Sequence, residues 1–271
     1  MTTFLSPTLL QPPIASPFGP ITFYDGIPLG LQTGSAKNLV RCLQGPSFFY
    51  VPARTPTNNL RVVATFLRGT EQAGAYAMAK LFSGHMASRS AASLWANMLY
   101  FIGNPLAAKL GPMFSQSHLP LEGVDEGLWD MNNVWGDDVP AAVAMLRSAL
   151  LAFIAQRNLE LQALVEVQTG KNETGAPYAV VGNDNSPGAR LAKCLDLERI
   201  HTHRQSLSAG IEAAFGVPCF AIHCGERPAD AREGDLVDRQ AWTVMDFIRS
   251  ELLLYAGVHF LSLPDLAVAA G

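Results

Sequence analysis

The stretch RVVATFLRGTEQAGAYAMAKLF, residues 61–82, limits the folds open to this chain more than any other. Residues 62–67 are an apolar run that reads as a buried strand. Arg68, Gly69, Thr70 and Glu71 then form a tight turn, and a helix is expected from 72 to 82. A strand that passes through a small-residue turn straight into a helix is a building unit of α/β proteins, whose ligands gather at the carboxyl ends of the strands. The turn is therefore the first place to look for chemistry.

The same alternation continues along the chain. Residues 1–22 are proline-rich and aperiodic, which suits an arm laid over the surface or a partly ordered tail. Residues 23–43 break short apolar pieces with Gly and Asp, the pattern of an edge hairpin, and SFFYVP at 47–52 is a short strand bounded by prolines. SLWANMLYFI at 93–102 is dense in aromatics and stops at Gly103-Asn104-Pro105, so a strand entering a loop is expected. Residues 106–138 are long, loop-like and polar, and loops of that length inside a compact domain are usually functional. Residues 139–156 form the clearest amphipathic helix, with Asp138 as N-cap and Pro140 in its first turn. Further strands are expected at 161–168, 178–182, 218–224 and 258–262, and further helices at 186–195, 206–215 and 235–255. Strands alternating with helices imply a mostly parallel sheet covered on both faces, in one α/β domain over residues 23–271.

With 271 residues, 49% hydrophobic and 15% charged, the chain is long and apolar enough to bury a full core. A net charge of −4 offers no basic patch for nucleic acid, and the longest apolar runs, LLAFIA and VHFLSL, fall far short of a membrane span. The N-terminus lacks the positive and continuous apolar regions of a secretory signal. Cys42, Cys194, Cys219 and Cys224 do not resemble a disulfide framework. These features point to a soluble, cytoplasmic protein whose partner is a small molecule, with neither nucleic acid nor membrane bound.

Five stretches follow one another in a telling order: LRGTEQAG at 67–74, GNPLA at 103–107, DMNNVWG at 130–136, LVEVQ at 164–168 and AIHCG at 221–225. In that order they resemble the HGNE turn, the Asn-Pro-x-Ala loop, the Asp-x-Asn-Arg segment, the Asp-x-His strand and the Ile-Glu-Cys-Gly strand of the succinylglutamate desuccinylase/aspartoacylase family. That family is related to the zinc carboxypeptidases. The resemblance implies a three-layer α/β domain with a mixed, mostly parallel sheet, and a C-terminal β-domain that is absent or reduced. It also implies descent from zinc-dependent N-acyl-amino-acid amidohydrolases, and it allows a homodimer.

In the family, zinc is held by His and Glu of the first turn and by His of the later strand, with a position left for water. A glutamate on a further strand is the general base, and an arginine grips the substrate carboxylate. Matched position by position, this chain keeps Glu71, Gly69, Asn104, Pro105, Asp130, Asn132 and Gly225. Arg68 and Gln168 stand at the two histidine positions, Glu166 at the aspartate, His223 at the general base and Asn133 at the arginine. Guanidinium stays protonated and has no acceptor, and a glutamine amide is a poor zinc ligand, so the resemblance leads to a pocket without zinc or any other cofactor.

Each residue keeps more than one role open. Arg68 pairs with Glu71 as a covalently held cation where the metal would sit, or it is a surface arginine at a turn. His223 acts as general base beside Glu71 and Arg68, joins Glu71 and Glu166 in a rearranged metal site, or is satisfied by its neighbours at a strand end. Gln168, Glu166, Asn104, Asp130, Asn132 and Asn133, with Lys171 on the loop after the Gln168 strand, are the substrate-binding candidates. Cys194, His201, His203, Cys219, His223 and Cys224 fit no closed zinc pattern; His201 and His203 read as exposed loop residues and Cys224 as a small buried hydrophobe. Three functions stay open: an enzyme with a rebuilt site acting on a small polar metabolite, a pseudoenzyme that binds a small amide or carboxylate, and a partner-binding subunit with its old pocket filled. The enzyme is preferred, because burying Arg68, Glu71, Glu166, Gln168 and His223 without a use would cost several kcal/mol.

Overall fold

A computed structural model describes residues 8–32, 36–53, 55–67, 73–87, 96–103, 105–106, 134–135, 139, 141–168, 178–182, 185–194, 197–201 and 206–223. Arg68, Glu71, Asn104, Asp130, Asn132, Asn133, Lys171, His203 and Cys224 lie outside the described residues, as do the helix and strand expected at 235–255 and 258–262.

Among the described residues the strands are β1 (Thr22–Asp25), β2 (Ser47–Val51), β3 (Asn59–Thr65), β4 (Asn97–Ile102), β5 (Glu160–Gln168), β6 (Tyr178–Val181), β7 (Glu198–His201) and β8 (Cys219–His223). They form one 8-stranded sheet in the order β1-β2-β4-β3-β5-β8-β6-β7. At its centre β4, β3, β5 and β8 run parallel. The pair β1–β2 joins β4 antiparallel, and the pair β6–β7 joins β8 antiparallel, so the sheet is mixed and mostly parallel.

Helices α1 (Ala36–Cys42), α2 (Ala73–Ala87), α3 (Ala141–Gln156), α4 (Pro187–Cys194) and α5 (Leu207–Phe215) complete three layers. Leu39, Met78, Phe82, Ala189 and Ala192 pack with Val63, Tyr100, Val165, Val167 and Ile222 on one face. Leu146, Leu150, Phe153, Leu207 and Ile211 pack with Val62, Leu99, Phe101, Leu164 and Cys219 on the other. Sandwiching explains why every residue of β4 is buried and why the central strands read as continuous apolar runs rather than alternating ones. On α3 the buried positions Val143, Leu146, Leu150 and Phe153 recur every three or four residues, the stripe a helix turns toward a sheet.

Several expectations need correction. Residues 23–43 are not an edge hairpin: β1 pairs parallel with β2, and a 3-10 turn at Leu29–Leu31 and helix α1 follow it. Ala36, Leu39 and Leu43 are buried at helical spacing, so the apolar pieces there have a period of three to four, not two. The arm does more than cover the surface, since Phe18 and Ile21 are in the core and Leu9 and Ile14 bridge to Tyr24 and Ile21. His201 lies in a strand, β7, where a loop was expected, paired with Val181. Helix α2 runs to Ala87, past the expected end at 82. Among the described residues no helix is long and apolar enough to cross a membrane.

Candidate active site

The carboxyl ends of β3, β4, β5 and β8 meet along one edge of the sheet. Thr65 closes β3 by donating its Oγ1 hydrogen to the Val167 carbonyl of β5 (2.8 Å), and its own carbonyl accepts from Gly103 N–H (2.8 Å). A side chain on Gly103 would run into the ring of Phe66, so the backbone leaving β4 lies directly on the end of β3. Phe66 and Leu67, the two residues before Arg68, are buried. The chain is therefore held firmly as far as Leu67.

Because neighbouring residues of a strand face opposite sides, Glu166 and Gln168 share the side of Leu164, which packs against α3 and α5. Gln168 stands opposite His223 in the parallel register of β5 and β8, and Glu166 stands opposite Ala221. Tyr178 opens β6 on the other side of β8 and pairs with His223 in the antiparallel register. The Tyr178 and His223 rings stack with centroids 4.9 Å apart and planes 13° from parallel. Glu166, Gln168, His223 and Tyr178 thus form a polar strip across three strand ends, with Glu166 deepest at 1% exposure and Gln168 at 7%.

Helix α5 supplies the floor. Ser206 caps it by accepting from Ala209 N–H (3.2 Å), and Gly216, in the left-handed conformation at φ 67°, closes it with its N–H on the Glu212 carbonyl. The cap sets Ser208 in the first turn, where its hydroxyl donates to Glu166 Oε2 at 2.7 Å. A buried carboxylate requires such donors. At the start of β8, burial pushes the Cys219 thiol well above its usual range, and the carboxylates of Glu212 and Glu166 push it the same way. Cys219 is therefore a protonated packing residue rather than a nucleophile.

Of the sequence-derived site residues, Glu166, Gln168 and His223 come together on one face; Arg68, Glu71, Asn104, Asp130, Asn132, Asn133 and Lys171 fall outside the described residues. The segment that follows Asn133 is anchored: Val134 is fully buried, and Arg147 of α3 donates to the Trp135 carbonyl (3.2 Å) with its guanidinium 5.2 Å from the ring centroid. Sequence reasoning passed over Ser206, Ser208 and Tyr178. The signal for Ser208 was present, since Ser208 and Glu212 are two polar residues four apart in an otherwise apolar helix, LSAGIEAAF. Tyr178 gave none beyond opening a strand.

A carboxypeptidase-type zinc site needs three converging His, Glu or Cys donors. Here Glu166 accepts a hydrogen bond from Ser208, Gln168 brings a neutral amide, and the His223 ring is stacked on Tyr178. Among the described residues, no three His, Cys, Asp or Glu side chains stand together in a way that could hold a metal ion. Glu166, Gln168 and His223 by themselves do not supply that donor set.

No family model matches the sequence, and no curated protein matches it. Solved structures do match in fold. A succinylglutamate desuccinylase from Vibrio parahaemolyticus aligns with a TM-score of 0.57 at 14% identity, over 79% of this chain and 62% of that one. A metallo-carboxypeptidase from Burkholderia cenocepacia aligns at 0.50 and 12%, over 83% of this chain and 68% of its own. Carboxypeptidase A from Helicoverpa armigera gives 0.51 and 12%, over 78% and 65%. This chain has the fold of those desuccinylases and carboxypeptidases, a three-layer α/β domain, and it spans 62% of the desuccinylase's length.

Proposed function

We propose that this chain is an enzyme that hydrolyses the amide bond of a small N-acyl metabolite at a rebuilt, zinc-free site. The observation that carries the proposal is the convergence of Glu166, Gln168 and His223 on one face at the ends of β5 and β8. That edge is where α/β sheets of this kind bind ligands. Gln168 brings an amide and His223 an imidazole to neighbouring strand ends.

In this scheme His223 takes a proton from the attacking water, whose oxygen adds to the amide carbonyl. Arg68 neutralises the oxyanion that forms, held in place by Glu71. The proton held by His223 goes to the nitrogen as the carbon–nitrogen bond breaks, giving a carboxylic acid and an amine, and the acid's proton then passes to the amine to leave carboxylate and ammonium. Gln168 hydrogen-bonds the amide, while Asn104, Asp130, Asn132, Asn133 and Lys171 hold the rest of the substrate. The net charge of −4 favours a small metabolite over nucleic acid as the substrate.

The test is turnover of a panel of N-acyl amino acids, N-succinylglutamate included, by the wild type and by Glu71→Gln and His223→Ala. Both variants should fold normally and lose hydrolysis. Unchanged rates in either would refute the assignment. A second reading, a pocket that binds such a ligand without cleaving it, draws on the depth of Glu166 and Gln168. It predicts saturable binding of the same panel by the wild type with no product formed.

A further inference from the structure

The deepest polar group of the site is linked to the surface by hydroxyls. Glu166 is 1% exposed, and its Oε2 accepts from Ser208 Oγ at 2.7 Å. A serine hydroxyl has a single proton, and Ser208 gives it to Glu166. The 3.0 Å contact between Ser206 Oγ and Ser208 Oγ must then run from Ser206 to Ser208. Ser206 accepts from Ala209 N–H at 3.2 Å and is half-buried, with a lone pair left to accept from solvent. Donation thus points one way throughout, from the Ala209 amide through Ser206 and Ser208 to Glu166. Hydrogen bonds ordered head to tail polarise and strengthen one another.

We propose that Ser206 and Ser208 form a two-hydroxyl relay through which protons pass between solvent and the buried floor of the site at Glu166. In one passage Ser208 hands its proton to Glu166 Oε2 and receives the proton of Ser206 on its own oxygen. Ser206 takes a replacement from a hydronium ion of the solvent, which is left as water. Neither serine is left charged, and the reverse passage returns a proton from Glu166 to solvent. Both serines are relay and positioning residues that act through Glu166. The relay deepens and rests on the hydrolase reading, in which protons move at the site, but its hydrogen-bond path can be tested without a substrate.

The test uses the full chain with its glutamate side-chain carboxyls labelled with carbon-13, the Glu166 infrared band being identified by its loss in Glu166→Gln. On mixing into D2O the band shifts when the Ser208 donor changes from O–H to O–D. The shift should be complete within mixing in the wild type and in Ser206→Thr, which keeps a hydroxyl. In Ser206→Asn it should slow by roughly tenfold or more, because the amide preserves the helix cap and a donor to Ser208 but cannot pass a proton on, so that exchange waits for local opening of α5. Ser208→Ala should move the band itself and remove the isotope shift, with Ser208→Thr restoring both. If Ser208→Ala does not fold, the contrast between Ser206→Asn and Ser206→Thr decides. Equal exchange rates in the wild type and Ser206→Asn overturn the relay, as does a Glu166 band that stays in place in a folded Ser208→Ala. An intact exchange difference in a protein that cleaves no N-acyl amino acid supports the relay and counts against the hydrolase reading alone.

Discussion

Two buried carboxylates meet helix α5, and they are treated in opposite ways. Glu212, near its carboxyl end, is 8% exposed and is met by backbone: its Oε1 accepts from Gly188 N–H at the start of α4 and from Cys219 N–H at the start of β8. Glu166, at the amino end of the same helix, is met by a side-chain hydroxyl that leads outward through Ser206. Backbone donors are fixed by the fold, so Glu212 ties three elements together and has no freedom to change partners. Hydroxyl donors rotate, so Glu166 keeps a partner that can donate or accept as the proton moves. The two ends of one helix thus differ in how freely the partner of a buried carboxylate can move. The Glu166 end lies at the carboxyl edge of the central strands.

The comparison can be broken by stability measurements. Glu212→Ala leaves two buried N–H groups without an acceptor and should cost about 3 kcal/mol in urea unfolding. Glu166→Gln keeps the shape and an acceptor for Ser208 and should cost about 1 kcal/mol or less while abolishing turnover. Equal losses in the two would erase the distinction. Gly188→Ala sharpens it from the other side. A side chain there would run into the Cys219 carbonyl and the Glu212 carboxylate, so a loss of about 2 kcal/mol is expected, with no effect on the chemistry at the far edge once the protein is folded.

A smaller effect is readable by mass spectrometry. Cys42 is exposed, whereas Cys219 is buried with its thiol held protonated, so iodoacetamide near neutral pH should label Cys42 and spare Cys219 in the native protein. In Glu212→Ala the start of β8 loses its anchor, and Cys219 should gain labelling. Labelling of Cys219 at the Cys42 rate in the wild type would contradict the burial on which the Glu212 tie depends.

Much of the fold was legible because its central strands are apolar on both faces and its helices keep a three-to-four residue stripe. Residues 62–67, 161–168 and 218–224 each overlap a strand that packs in the centre, although β3 runs from Asn59 to Thr65. The flanks were harder. Residues 36–42 hold only Ala36 and Leu39 buried, a helix face too narrow to stand out from a hairpin pattern. β7 is an edge strand of four residues, ERIH, with nothing apolar but one isoleucine to announce it. At the site, the motif order named Glu166, Gln168 and His223, which do share a face. What it could not reveal were partners from distant stretches. Ser208 meets Glu166 across 42 positions of sequence, and only the docking of α5 on the sheet joins them. Tyr178 reaches His223 because β6 turns antiparallel to the central strands, a reversal that no local pattern encodes.

The central claim is that the carboxyl edge carries out hydrolysis without zinc. It is tested most directly by measuring metal content and N-acyl amino acid turnover on the same preparation, before and after exhaustive dialysis against a chelator. The account predicts substoichiometric metal and an unchanged rate after dialysis. Zinc bound at one equivalent, lost together with activity on dialysis and absent from His223→Ala, would contradict it.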